Sequence, residues 1–572
     1  MEDVKGLDPA RDGVDGNIVA GNNEAKPASE AHIDGIEDAS PSTPPPAGKS
    51  WRFKLAFLGL ACIDFVFQFD ATALGVALPT VAHALGGTTT QSLFANISYL
   101  LCVVVATPIW TSVSDVQGRK PLLLAAAAFF FVGSIVFAVA QDMPTLIAGR
   151  VLQGIGGGGI NVLVETIVAD MTTLKERSFW LGIMGVPIAT GNVLGTPLGG
   201  VLAGADWRWL GWINLPFIGV GFPLVLVFLR LRSVVGDESP WQRLRGLDWI
   251  GMLGFSGAII SLVLALGCAG ELYPWDAWET LFPLLLGVAL LLAFAFYERY
   301  PTSPIVPHRI YRPRTAWVTL LCGFLQGLAM FSILQYLPLF YQSAALLPIL
   351  KMVVYLLPSA FASIFLSLAA MLLVGPVGQG YRYFIWALWV IATLGTGLLC
   401  LLGPGSSTGM LIGIPIIWSS GVTALRMLML PLQASVTHID DTNLAIGQLL
   451  TLRLFGGVVG LAIASGTFGS VFSASISKLG ALTGPLSVLN DSSKAIEFIP
   501  ELRKIDVPAE ALRDVLKIYA KAFHTVVYIM TGLAGLGLLA SFFMEELEMQ
   551  KEELGQQRFE DKAPTTTTTT TI

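Results

Sequence analysis

The sequence predicts an all-α polytopic membrane protein of about fourteen transmembrane helices, on three observations. Of its 572 residues, 54% are apolar and only 13% are charged, where soluble domains carry roughly a quarter charged. From Lys54 onward, apolar runs recur that are long enough for the about 20 helical residues needed to cross a hydrocarbon layer. Basic residues, finally, crowd the loops on one side of those runs.

The first 50 residues are rich in Gly, Pro, Ala, Asp and Glu and include the run PSTPPP. Such a composition buries too little apolar surface to order itself, and it lacks the layout of a cleavable signal peptide. The spans that follow are expected near 54–78, 92–111, 122–140, 146–168, 179–203, 209–230, 248–268, 280–297, 316–340, 345–373, 383–402, 409–435, 446–476 and 522–543. With the N-terminus inside, the inner loops hold thirteen bases, among them Arg119, Lys120, Arg177, Arg243, Arg309 and Arg382, and the short outer loops hold Arg208 alone. That asymmetry fixes the orientation, and an even number of spans puts both tails in the cytoplasm.

The net charge of −6 is then a matter of location. Residues 1–50 carry −6 and residues 545–572 carry −4, which leaves +4 on the membrane body. The acidity belongs to the tails and implies neither a basic ligand nor a nucleic-acid partner. The five cysteines lie singly in apolar runs, with no ligand spacing for a metal and no disulfide framework.

In chain order, span one carries two acids. At about 1.5 Å per residue, Asp64 lies near the midplane and Asp70 in the outer half. The inner loop after span two reads SDVQGRK (114–120), and its Asp115, Gly118, Arg119 and Lys120 make a tight charged turn that can act as an openable latch. Span four embeds Arg150 near its outer end, and a cation at that depth is costly unless paired. Asp70 and Arg150 are therefore the expected proton-sensitive pair, with Asp64 a second acid; a purely structural ion pair is the plainer alternative. The GIGGGG run of span four satisfies a dinucleotide-binding pattern, but no strand precedes it, so close helix packing is the better reading. Glu165 and Asp170, near the inner end of the same span, are expected to latch to Arg177 or to the charged turn. In span five, Gly191, Gly195, Gly199 and Gly200 with Pro197 make a small-residue face on a bent rod. Arg426 is expected to pair with Asp440 or to snorkel. Weaker candidates for a substrate cavity are Phe67, Trp110, Gln326 and Tyr336, the glutamine because a polar group at depth needs a partner or a wet cavity. Asn490 and Asn96 match the glycosylation pattern, Asn490 in a long outer segment near 477–521.

The motifs DATALGVALP (70–79), SDVQGRK (114–120), RVLQGIGGG (150–158), GNVLGTPLGG (191–200) and WRWLGWINLP (207–216) occur in that order on successive spans, and LDWIG (247–251), SPIVPHRIYR (303–312), YLPLFYQ (336–342) and LRLFGGVVG (452–460) continue the series. The chain thus resembles the fourteen-span drug:proton antiporters of the major facilitator superfamily over about 51–544. One departure is Gly195-Thr196-Pro197, where the family usually has Gly-Pro. The resemblance implies a six-helix bundle over 51–232, two inserted helices with their linkers over 233–315, a second six-helix bundle over 316–544, and disordered tails at 1–50 and 545–572. It also implies that Arg453, beside Gly456 and Gly457, supports the gate or cavity of the second half.

The expected function is proton-coupled efflux of small amphiphilic organic compounds, drugs or secondary-metabolite toxins, by a monomer in the plasma membrane. The proton gradient is the energy source, and no cofactor is implied. Proton-coupled import, or vacuolar sequestration of a nutrient such as a basic amino acid, is the alternative. An enzyme is disfavoured because the five histidines are scattered without a nucleophile partner, and a receptor because the tails look disordered.

Overall fold

The computed structural model describes residues 49–87, 89–232, 239–269, 273–301, 304–377, 380–436, 441–480, 482–491, 494–496, 498–547 and 557–560. The acidic N-terminal segment through residue 48 lies outside them. Fourteen described helices are long and apolar enough to cross a membrane. They are α1 (Trp51–Ala84), α2 (Thr89–Gln117), α3 (Arg119–Ala138), α4 (Met143–Met171), α5 (Leu174–Asp206), α6 (Asn214–Phe228), α7 (Trp249–Cys268), α8 (Trp278–Tyr297), α9 (Arg314–Ser343), α10 (Ile349–Val377), α11 (Tyr381–Leu398), α12 (Thr408–Ala424), α13 (Thr442–Leu479) and α14 (Ala509–Ser541). A short helical turn, Trp209–Trp212, precedes α6, and α12 continues through a 3-10 turn at Leu425–Leu428 into a short helix, Met429–Ser435.

Local chemistry sets several boundaries. The Ser50 hydroxyl accepts a hydrogen bond from the Phe53 amide and caps α1. Asp142 caps α4 by accepting from the Thr145 amide at 2.8 Å, an interaction that holds its carboxyl below the usual range. Gly118, between α2 and α3, has φ +96°, a conformation glycine adopts without penalty.

The helices form two bundles of six with one repeated packing scheme. In the first, α1 packs on α5 and α6, and α4 packs on α2 and α3; in the second, α9 packs on α13 and α14, and α12 on α10 and α11. The bundles meet where α5 lies on α10 and α2 on α13, while α7 and α8 pair with each other and attach through α7 to α2 and α13. Glycines explain the closeness of the central pairs. A Cβ on Gly191 would lie 2.6 Å from the Phe65 carbonyl oxygen of α1, and Cβ atoms on Gly195 and Gly199 would collide with the backbone at Phe69 and Ala73. Each step of four along α5 thus meets a step of four along α1. Pro197 lies between the last two of these glycines and Gly200 follows them within α5.

Two expectations change here. The outer segment is shorter than 477–521, because α13 runs to Leu479 and α14 starts at Ala509; the first turns of α14 are amphipathic and too polar to read as a span. The C-terminal tail, expected to be disordered, includes a docked piece at 557–560. The Arg232 amide donates to the Arg558 carbonyl at 3.0 Å, and the Glu560 amide to the Arg230 carbonyl at 2.9 Å. Phe559 packs edge-on against Phe53, with ring centroids 5.5 Å apart.

Candidate functional site

Three polar features interrupt the apolar interior: a buried ion-pair network, a latch at the end of the bundle that carries the basic loops, and a cavity between the bundles.

The first gathers side chains from five helices. Arg150 of α4 donates from Nη1 to Asp70 Oδ2 of α1 at 2.5 Å, and both are nearly inaccessible, at 1% and 5% exposed. The second carboxylate oxygen accepts from Gln153 Nε2 at 3.3 Å and from Asn214 Nδ2 at 3.1 Å. The same two amides donate to Ser134 Oγ of α3, at 3.0 and 3.2 Å. The guanidinium of Arg150 lies over the Tyr99 ring of α2, 4.0 Å from its centroid, and also donates to Gln153 Oε1 at 2.9 Å. Two charges out of water are tolerable only when paired and hydrogen-bonded to this degree. Protonating Asp70 would cost the ion pair and disturb every partner. Gln153, Asn214, Ser134 and Tyr99 did not stand out in the sequence, although Gln153 and Asn214 lie within the motifs that hold Arg150 and the WINLP turn.

Asp64, two turns before Asp70, is also buried at 2% exposed. Its Oδ1 accepts from Gln68 Nε2 at 3.5 Å, while Oδ2 has no hydrogen-bond partner among the described residues.

At the basic end, Arg119 ties the α2–α3 turn to α4. It pairs with Asp115 at 3.1 Å and with Asp170. Asp115 also accepts from Asn443 Nδ2 of α13 at 2.7 Å, and the same nitrogen bonds the Thr111 carbonyl at 3.0 Å. Arg177 of α5 donates to Gln433 Oε1, past α12, at 3.1 Å. Glu165 departs from expectation: it pairs with Arg426 of the second bundle rather than with Arg177 or the turn. Arg426 accordingly does not snorkel; Asp440 lies outside the described residues. Lys120 pairs with no acid among the described residues and donates to the Leu226 carbonyl at 2.9 Å. Gln557 of the tail, 3% exposed, accepts from the Arg119 amide at 2.8 Å. Of the cross-bundle polar contacts named here, Asp115–Asn443 and Arg177–Gln433 lie at the basic end, and Glu165–Arg426 reaches the cavity that Arg426 lines.

The cavity between the bundles, with the solvent space at its mouth, offers about 1150 Å³ free of protein atoms. Its walls come from α5, α9, α10, α12 and α13. They are largely apolar, with Leu334, Met352, Leu356 and Trp418 among them, and carry hydroxyls and amides such as Asn192, Ser363 and Gln326. Arg426 and Arg453 are the charged side chains that line it. Gln326 spends its amide hydrogen on the Val422 carbonyl at 2.9 Å. Phe67 lines a smaller neighbouring cavity with Asn161, Asn192 and Arg453. Trp110 and Tyr336 line neither: the Trp110 indole donates to the Ile155 carbonyl at 2.9 Å, and Tyr336 is buried against Phe468. Both are large and amphipathic, so burial in helix contacts serves them as well as a cavity would. Asn490 is exposed, but its side chain pairs both ways with the Leu482 backbone, at 2.9 and 3.0 Å; Asn96 sits within α2.

Comparison with known proteins places this arrangement. The family model described as Major Facilitator Superfamily matches residues 60–461. An MFS-type transporter, sphD, of Aspergillus fumigatus is 54% identical over 515 residues, which cover 90% of this chain and 89% of that protein. The efflux pump FUS6 of Gibberella fujikuroi is 30% identical over 542 residues, covering 93% and 95%. Among solved structures, the proton:xylose symporter XylE matches with a TM-score of 0.54 at 12% identity, over 88% of this chain and 98% of that one. A bacterial homologue of the human lysosomal transporter Spinster, in an inward-facing conformation, matches at 0.52 and 14% identity, over 87% and 98%.

Proposed function

The chain belongs to the major facilitator superfamily, and from that premise we propose that it exports small amphiphilic organic compounds in exchange for protons. The observation that carries the proposal is the Asp70–Arg150 pair, sealed among two amides and a serine in the first bundle. A buried ion pair with this many partners is a two-state element. With Asp70 ionised, five helices are cross-linked; with Asp70 protonated, the pair and its amides must rearrange. A proton then changes the relative free energy of the two cavity states, which is what coupling requires.

The basic end is the cytoplasmic face, by the excess of bases in its loops. The structure, with that end latched, stands for the state whose cavity is shut to the cytoplasm. Opening requires the Asp115–Asn443, Arg177–Gln433 and Glu165–Arg426 contacts to part. Sequestration of a basic amino acid fits less well, because the charged groups lining the cavity are arginines. The efflux names of relatives favour the outward direction, and action as a monomer in the plasma membrane completes the reading.

The test uses inverted membrane vesicles from cells that express the chain. A panel of amphiphilic fluorescent compounds should accumulate when the lumen is acid, and stop when an ionophore collapses the gradient. Accumulation only with an alkaline lumen would mean proton-driven import, and indifference to the gradient would remove proton coupling.

A further inference from the structure

The charge of the central cavity carries the reading one step further, to the kind of molecule exported. Among the described residues its walls include two arginines, Arg426 and Arg453, and no acid. Helices α9 to α13 could not supply one: between Arg314 and Asn490 the only acids in the sequence are Asp440 and Asp441, just ahead of α13 at the basic end, and the acids of α14, Glu510 and Asp514, lie in its first two turns at the opposite end. Arg426 is spent on Glu165. Arg453 is not. Among the described residues its guanidinium makes no hydrogen bond or ion pair, it is only half-buried, and it borders both the large cavity and the smaller one beside Asn161 and Asn192. The one acid within its electrostatic reach is Asp64, which stands behind the cavity lining rather than in it.

We propose that Arg453 is an anion-binding residue, and that the exported substrate is an amphiphile with a carboxylate or similar acidic head. The head sits against Arg453, within reach of the amide of Asn192, which borders both cavities. The apolar body lies between Met330, Leu334, Met352 and Trp418, with the serines at 363 and 367 of α10 available to hydroxyl groups. A planar guanidinium in a poorly solvated site is matched to a carboxylate and repels an ammonium. This inference rests on the transport reading above and also constrains it. A proton on Asp64 would leave Arg453 uncompensated and so favour loading of an anion, which is the sign for cotransport. Exchange therefore requires the coupling proton elsewhere, at Asp70, whose network is built from helices of the first bundle and does not line the large cavity.

The test is binding of three dansyl probes to the purified full chain in nanodiscs, corrected against empty nanodiscs. The probes are dansyl-aminoundecanoic acid, its carboxamide and dansylcadaverine. The carboxylate should bind about tenfold or more tighter than the carboxamide, as a charge-assisted hydrogen bond implies, and the amine weakest. Arg453→Gln should erase that preference while Arg453→Lys keeps part of it, and Asp64→Asn should tighten the carboxylate. Tightest binding of the amine, or an unchanged ratio in properly folded Arg453→Gln, overturns the proposal. A loss of binding in Asp64→Asn that is selective for the amine does so as well. Transport of the same probes into vesicles separates the two claims. Gradient-driven movement of the amine but not the carboxylate keeps export and removes the anion site. A carboxylate preference in binding without gradient-driven movement keeps the site and removes proton-coupled export.

Discussion

The two bundles share a scaffold and differ in the charge they bury. On one side, α5 meets α1 through Gly191, Gly195 and Gly199; on the other, α13 meets α9 through Gly456 and Gly460, where a Cβ would strike the backbone at Phe324 and Leu328. The remaining helix pairs repeat in the same order. Yet the first bundle buries Asp64, Asp70, Glu165 and Asp170 together with Arg119, Arg150 and Arg177, while the second offers Arg426 and Arg453 and, among the described residues, one buried acid, Asp441, which lies just ahead of α13 and pairs with Arg309 of the linker. Packing is thus common to both halves, whereas ion-pair chemistry is concentrated in one, and the acid that pairs with Arg426 is lent across the interface by Glu165. On the function proposed above, the first half would sense protons and the second, together with α5, would meet the substrate.

Removing one partner of the buried pair should break the first half most severely. Arg150→Ala strands a buried carboxylate, at a cost of about 3–5 kcal/mol, and should sharply lower both the folded yield and the melting temperature in nanodiscs. Pairing it with Asp70→Asn should restore much of the stability but not gradient-driven transport. If the single variant melts like the wild type, Asp70 does not depend on its partner.

The shared scaffold is tested by placing the same side chain in both seams. Gly195→Val and Gly456→Val should each destabilise by about 1–3 kcal/mol, as overpacking does, and by similar amounts. A large drop in one melting temperature and none in the other would show that the seams are not equivalent.

The loan across the interface is tested by Glu165→Gln, Arg426→Gln and the double variant. Each single change should favour the state open at the basic end, read as faster thiol labelling from that side of a Thr423→Cys reporter in the cavity wall. The double variant should cost less than the sum, with a coupling of about 0.5–3 kcal/mol. Additive effects would mean the two residues act separately.

The smallest expected effect is at the tail. Gln557→Ala removes one acceptor from the Arg119 amide and should cost about 1 kcal/mol, seen as a small gain in the same labelling rate. No change there would make the docked segment incidental to the latch.

The sequence made much of this visible. Fourteen spans, the Gly118 turn, the glycine face of α5 and the Asp70–Arg150 pair were all legible, because each depends on residues whose chemistry is conspicuous in an apolar chain. Partners that are neutral, or that come from the other half, were not. Gln153, Ser134 and Asn214 are ordinary until α1, α3, α4 and α6 bring them to one carboxylate. Asn443 lies more than 300 residues from Asp115, and no spacing rule joins them. Glu165 has bases of its own half close by in the sequence, at Arg177 and the 115–120 turn, whereas its partner Arg426 lies more than 250 residues away in the other bundle. The docked 557–560 segment was lost in a tail whose composition as a whole predicts disorder.

The central claim is that Asp70 carries the exchanging proton, and it is tested most directly in proteoliposomes containing Asp70→Asn, with dansyl-aminoundecanoic acid as the transported probe. Asparagine keeps the shape of the carboxylate and removes its charge and its titration. Substrate binding and exchange without a gradient should persist in this variant, while accumulation driven by an acid lumen should fall to the level seen after the gradient is collapsed. Accumulation at the wild-type rate and extent would contradict the account.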